Sequence, residues 1–402
     1  MPRHLFANPL RPASESPWLD VAERVADQLR ETILDREASN EIPHDVVDLL
    51  REHGLLSVIV RTDLGGAGEP WSTGAEIARI LARVDAGIAH AVGYHYTWLW
   101  FTQLYDTDTG REIVRRSAER QSFWASIGSA FGGSGGIRAD GEGYLIDAKR
   151  GFATGAPLAD LFFTQTVSAD DGRFYISAVD TTLDGVSVFD DWDAVGQRLS
   201  ASTGVVLDAV RVSAADVIAV LPPPGQQPAP LQSLMIPSFQ LLFAYLNLGI
   251  TEGALFEARA YVLESGRPWI HSGVDSSTDD PYIQSLFGEH ASKALGVEAQ
   301  VHAAGDVLGA FFAGTLEITP TTRGQAAELI AAAKVVSHRV ALDASTAIFD
   351  ATGARSSARR FGLDRFWRNA RTITLHDPVS YKYKELGDYV LTGALPEPSV
   401  YR

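Results

Sequence analysis

The interval at which apolar residues recur changes twice along this chain, and that change limits what it can fold into more than any other feature. Through roughly the first 120 residues, apolar positions return every three or four, as in Trp18, Leu19, Val21, Ala22, Val25, Ala26 and Leu29, which is one face of an α-helix. Pro43 opens a further short helix that Gly54 stops, following the preference for Pro in a first turn and Gly past a last one. Another helix begins near Ser72 and carries Ile77, Ile80, Leu81 and Val84. From about Gln121 the interval falls to two. Short β-branched and aromatic runs at 123–131, 143–153, 161–167, 174–180, 186–190 and 203–212 are separated by Gly, Asp and Pro, which predicts an all-β insert. Polar turns such as residues 169–173 mark hairpin connections. Residues 221–230 hold five prolines and continue neither strand nor helix. Beyond them, long alanine-rich periodic segments at 238–264, 282–314 and 325–354 predict a helical bundle. The expected architecture is mainly α with a central β-domain: a helical unit over 1–120, a β-barrel over 121–221 and a bundle over 231–402.

Charge and composition remove whole classes of function. Fifty acidic residues against 34 basic ones give a net charge of −16, which argues against a nucleic-acid partner, because phosphate binding needs a clustered cationic surface. The short basic stretch 355–371 is interleaved with apolar residues and reads as a local anion site. With no cysteine, disulfides, thiolate catalysis and Cys-ligated metals are excluded. His271 with Asp275, and His302 with Asp306, lack the third ligand a metal claim needs, so no metal is expected. No apolar run is long enough for a bilayer, and the first residues lack the basic-then-apolar layout of a secretory signal, so the expected location is the cytoplasm, away from membranes.

The order of helical domain, small β-domain and helical bundle resembles the acyl-CoA dehydrogenase superfamily across nearly the whole chain. Residues 143–160 are similar to its flavin-facing strand and turn, and residues 194–212 to the strand pair that follows. Three segments narrow the resemblance to the dibenzothiophene monooxygenase branch: Gly93-Tyr94-His95-Tyr96, residues 265–275, and residues 361–371 running into 376–382. Members of that branch are two-component enzymes. The resemblance implies that a separate flavin reductase supplies reduced FMN or FAD, that O2 adds to give a C4a-hydroperoxyflavin, and that a small aromatic heteroatom compound is oxygenated. That substrate is either a dibenzothiophene-like sulfur compound or an indole-like ring. N-hydroxylation of an amine, and acyl-CoA dehydrogenation with Asp377 as base, are the alternatives. A homotetramer built as a dimer of dimers is implied as well.

The same resemblance implies a set of site residues. Dehydrogenases of the superfamily take their base from a Tyr-Glu-Gly-Thr stretch; here the run is Leu375-His376-Asp377-Pro378-Val379, with a shorter carboxylate followed by Pro. His376 is then the expected catalytic group beside the flavin, since an imidazole can give or take a proton near neutral pH. Thr154, with Gly155 after it, stands where relatives set a hydroxyl against the N5 edge of the ring. Arg267 and Arg355 are expected to hold the flavin phosphate, often across a subunit boundary, because a guanidinium matches phosphate oxygens. Ser129, in the Gly-rich run 126–136, is a further flavin contact. His95 lies among Tyr94, Tyr96, Trp98 and Trp100, which could line a pocket for a flat apolar substrate. It reads either as a second proton donor or as a core histidine.

Overall fold

Five helices come first, and all but the third are followed within two residues by a residue of positive φ. In the computed structural model, which describes residues 16–128, 135–223 and 229–398, they are α1 (Pro17–Ser39), α2 (His44–Glu52), α3 (Trp71–Ala82), α4 (Ala86–Leu104) and α5 (Asp108–Arg120). Gly54, at φ 69°, takes the left-handed turn after α2 that a side chain resists. The Asp85 carboxylate caps α4 by accepting from the amides of Gly87 and Ile88 at 2.8 and 2.9 Å.

Eight strands follow: β1 (Trp124–Ser126), β2 (Gly135–Asp140), β3 (Gly143–Ala153), β4 (Leu161–Ser168), β5 (Phe174–Asp180), β6 (Val186–Val188), β7 (Thr203–Ser213) and β8 (Val217–Leu221). They form one mixed sheet in the order β6-β7-β3-β2-β4-β5-β8, with β1 parallel to β4. Two of them lie outside the β-branched runs. β2 begins with Gly135 and Gly136, whose lack of side chains hides the alternation, and an added Cβ on Gly135 would meet Asp147 O at 1.8 Å. β8 is short and abuts the proline run. In β3 the register against β7 slips between Arg150 and Ala153, which leaves Phe152 at φ 57° and three-quarters exposed just before Thr154.

The remaining helices are α6 (Met235–Ser265), α7 (Pro281–Phe312), α8 (Pro320–Thr352), α9 (Asp364–Ile373) and α10 (Val379–Thr392). Against the expectation that no apolar run suffices for a bilayer, α6 is long and apolar enough to cross one; the reason is that most of it is buried inside the molecule as a core helix. It is the axis of the core. On one side Gly249 and Gly253, one turn apart, let the backbone of α3 approach, while Arg79 and Arg83 of α3 both reach the buried Glu252 of α6, at 2.6 and 2.9 Å. Removing charges from water is costly, so this pair of guanidiniums on one carboxylate is tolerated only because each is matched.

Candidate active site

The N-terminal half of α6 lies against α4, and the facing residues of both are aromatic. His90, Tyr94 and Trp98 stand at four-residue spacing on one side of α4; Phe239 and Phe243 do the same on α6. The His90 and Tyr94 rings meet edge-on with centres 4.4 Å apart, Tyr94 meets Phe239 at 4.8 Å, and Trp98 meets Phe239 at 4.7 Å and Phe163 of β4 at 4.8 Å. His376, in the turn between α9 and α10, closes the group. Its ring lies 4.6 Å from that of Phe243, and its Nε2 is 3.5 Å from the Tyr94 hydroxyl.

Asp377 fixes which nitrogen of His376 faces this aromatic cluster. Its Oδ1 is 3.2 Å from Nδ1 of His376 and also receives the Nζ ammonium of Lys334 on α8. Burial alone would raise the Asp377 carboxyl, but the hydrogen bond from His376 and the Lys334 charge outweigh it and hold the group well below the usual carboxylate range. Asp377 is therefore ionised, 4 % exposed and turned onto a lysine. The alternative in which Asp377 acts as the base of an acyl-CoA dehydrogenase is not supported by this placement, because the carboxylate is already engaged away from the hollow. Burial pushes His90 down to about 3, His376 nearby adds to that, and Gln197 offsets it slightly, so His90 is a neutral imidazole.

The β-domain contributes hydroxyls. Thr154 is buried, with its Oγ1 3.0 Å from Ser202 Oγ, which in turn lies 2.7 Å from Ser200 Oγ. Gly155, at φ 73°, donates to Ser200 O and packs so tightly on α4 that an added Cβ would sit 3.4 Å from the Ala91 side chain, next door to His90. The loop before β7 is clamped to α9. Gln197 donates its amide to Asn369 Oδ1 at 2.6 Å, and Asn369 Nδ2 donates to Asp85 Oδ2 at 3.1 Å, so the clamp ends on the cap of α4. Burial, then the charge of Glu37, raises Asp85 to about 6.

Several expected site residues stand elsewhere. His95 is fully buried on another side of α4, about 100° round from Tyr94: its Nε2–H donates to Leu56 O at 2.9 Å, and its Nδ1 accepts from the Trp124 amide at 3.0 Å. A backbone carbonyl can only accept and an amide can only donate, so both nitrogens are taken, and burial pushes the ring down to about 4. The reading of His95 as a proton donor is thereby corrected to the core reading. Arg267 and Arg355 are exposed beyond the ends of α6 and α8. At 1.5 Å rise per residue, Arg267 lies about 35 Å along α6 from Phe243, and Arg355 about 30 Å along α8 from Lys334. That exceeds the reach of an FMN whose ring faces His376 in the same chain. Ser129 lies outside the described residues. Of the residues grouped around His376, Tyr94 and Trp98 were expected from the sequence as pocket lining and His90 was not named; its four-residue spacing from Tyr94 was the available signal. A separate hollow of about 500 Å3 between α5 and the sheet sets Arg51, Arg116 and Arg120 against Asp160, Asp180 and Asp216 and contains no histidine.

Residues 19–107 match the acyl-CoA dehydrogenase N-terminal domain and residues 241–381 the acyl-CoA dehydrogenase C-terminal domain. The chain is 33% identical to the probable FMNH2-dependent monooxygenase SfnC of Pseudomonas putida, over 96% of this chain and 97% of that protein. It is also 33% identical to a dibenzothiophene monooxygenase of Rhodococcus erythropolis, over 96% of each. Among solved structures, the complex of TdsC from Paenibacillus sp. A11-2 with FMN and indole superposes with a TM-score of 0.87 at 30% identity, covering 96% of this chain and 99% of that one.

Proposed function

This chain belongs to the acyl-CoA dehydrogenase family and is one of its flavin-dependent monooxygenases, and from that premise we propose that it oxygenates a small aromatic heteroatom compound with reduced FMN in the hollow between α4, α6 and the β-domain. The observation that carries the reading is the pairing at residues 376 and 377: an imidazole faces the aromatic hollow while the neighbouring carboxylate is turned onto Lys334. A relative named for FMNH2 and a similar structure holding FMN with indole favour FMN over FAD and a flat ring over an acyl-CoA.

The residues present fit a flavin. Among the described residues, Nε1 of Trp98 and Oγ1 of Thr203 are buried without a hydrogen-bond partner, and Thr203 pairs with Ala153 beside Thr154. Buried polar atoms left unpaired are costly, so such a group awaits a ligand with polar edges. Reduced FMN, when bound, supplies the two electrons that let one atom of O2 enter the substrate and the other leave as water. Thr154, through its hydroxyl chain to Ser202 and Ser200, would hold the ring's edge, with Gly155 giving the close approach. His376 would hold or move a proton at Nε2, the nitrogen turned to the Tyr94 hydroxyl while Nδ1 is bonded to Asp377. Tyr94, Trp98, Phe239 and Phe243 offer ring faces to the substrate and exclude water. Arg267 and Arg355, too distant within one chain, would grip the phosphate from a second copy in a homotetramer. Reduced FMN would come from a separate reductase, in keeping with a sequence that shows no nicotinamide fingerprint.

The test is turnover. With FMN, a flavin reductase, NADH and O2, the purified protein should convert indole or dibenzothiophene to an oxygenated product in amounts that depend on the reductase. Bleaching of bound oxidised flavin by a short acyl-CoA, with no O2 consumed, would overturn the reading. An amine panel run in parallel distinguishes N-hydroxylation.

A further inference from the structure

Lys334 is a buried charge that the binding and proton-transfer roles above do not use. It is only 5 % exposed in the middle of α8, among alanines and valines, where a Leu or Met would fill the same space. Its ammonium donates to Gln240 Oε1 of α6 and to Asp377 Oδ1, and lies 5.1 Å from the centre of the Phe243 ring. Burying an ammonium is costly, and a buried ion pair is seldom a gain over a packed apolar pair, so stability does not account for it. The oxygen that Lys334 holds is the one His376 Nδ1 uses.

We propose that Lys334 is a positioning residue acting on His376 through Asp377. By neutralising the carboxylate from its buried side, Lys334 leaves Asp377 as an acceptor for the Nδ1–H of a neutral ring, so that Nε2 keeps its lone pair toward Tyr94 and the hollow. Without the ammonium, Asp377 would carry an unbalanced charge against the ring and hold it as an imidazolium. An opposite charge within hydrogen-bond distance moves a titration by about one to three pH units.

The other groups around the pair do not supply this balance. From α4, Tyr94 and the neutral His90 face it. From α10, Lys382 and Glu385 bond each other at 3.2 Å and their charges offset. From α8, His338 is pushed down to about 4 by burial and then by Lys334, and is neutral; the charges of Arg339 and, on α9, Arg371 fall on His338 and not among the causes that lower Asp377. α6 contributes only the uncharged Gln240. Burial brings Lys334 down to about 8, which leaves it mostly protonated at pH 7.

The inference rests on His376 being the proton-handling group, and the experiment separates the two claims. Histidine ring protons are titrated by NMR in flavin-free protein, with His376 assigned by its loss in His376→Asn. Lys334→Met should move the His376 midpoint up by about one pH unit or more, Asp377→Asn should move it down, and the double variant should return it near the starting value. Should Lys334→Met not fold, comparing Asp377→Asn with the double variant carries the test, since removing the lone ammonium must raise the midpoint. Coincident midpoints, or single variants that shift in the same direction, overturn the inference. If the midpoints move as stated while the pH profile of oxygenation stays fixed, the linkage stands and the assignment of His376 to proton transfer falls.

Discussion

A histidine serves proton transfer only where a ring nitrogen faces a side-chain site and not the backbone, and His95 and His376 divide on that point. At His95 the Leu56 carbonyl and the Trp124 amide take both nitrogens, and an imidazolium would set two donors face to face at Trp124. At His376 one nitrogen is bonded to Asp377 and the other faces Tyr94, with the ring 37 % exposed. His95→Phe would leave two buried backbone groups unpaired. It should therefore cost about 2–6 kcal/mol of stability, at roughly 1–3 for each group, while the protein that remains folded turns over at a near-normal kcat. His376→Asn should do the reverse, lowering kcat by about 10²- to 10⁴-fold as loss of a general acid or base does, with a much smaller change in urea midpoint. Equal losses of stability in both variants, or an inactive but stable His95→Phe, would remove the distinction. The sequence shows the Tyr94-His95-Tyr96 motif but not which way it faces. α4 is apolar on every side, so periodicity has no polar stripe from which to orient it, and the choice between positions 94 and 95 is a 100° rotation. Asp377 was legible as a poor base from its length and its proline; its lysine partner, 43 residues earlier, was not.

At the scale of elements, the aromatic cluster of α4 and α6 depends on α6 being held at a fixed distance from its neighbours, and against α3 glycine sets that distance. Gly249 and Gly253 lie against the carbonyls of Arg79 and Arg83, where an added Cβ would come within 2.4 and 2.3 Å of a backbone oxygen. Gly288 and Gly296 of α7 have nothing within 4 Å of such a Cβ. Alanine ordinarily stabilises an exposed helix interior over glycine by about 0.5–1 kcal/mol, so Gly288→Ala and Gly296→Ala should raise the urea midpoint. The same change at 249 or 253 must push two helices apart and strain the Arg79–Glu252–Arg83 cluster, and should lower stability by about 1–3 kcal/mol. A gain at all four positions would show that α3 and α6 are not so closely packed. The order of helices, strands and helices was readable because the apolar interval switches from about 3.6 to 2 and back. β2 was not, since its first two residues are glycines that carry no pattern, and β8 was not, since five residues before a proline run give too short a signal. The Gln197–Asn369–Asp85 clamp was equally hidden: it joins residues far apart in sequence through amide groups that any surface loop also carries.

For the whole molecule, the expected phosphate grip and the expected assembly are one question. Arg267 sits on the segment after α6 with Trp269 and Ile270, 69 % and 82 % exposed, and Tyr282 at the start of α7 is 84 % exposed. Large apolar side chains in the open on a chain of net charge −16 would suit the surface of the proposed assembly, since charge keeps such a protein dispersed unless specific contacts overcome it. A second copy seated there would bring an arginine to a flavin that the same arginine cannot reach in its own chain, about 35 Å of helix away. The sequence could supply the arginines from family resemblance but not this distance, which depends on α6 running unbroken for 31 residues. Trp269→Glu with Ile270→Glu should therefore do two things together: shift the sedimentation coefficient to a smaller species, and weaken FMN binding tenfold or more by fluorescence quenching. Arg267→Ala should weaken FMN to a similar degree while leaving the large species intact, because a flexible exposed arginine contributes charge to the ligand and little area to the interface. The pair of variants separates assembly from phosphate contact. A double glutamate variant that sediments as the unaltered protein does would mean that this apolar segment is not what the copies share. A smaller species that still binds FMN at full strength would mean that the phosphate is held from within one chain, by residues other than Arg267 and Arg355.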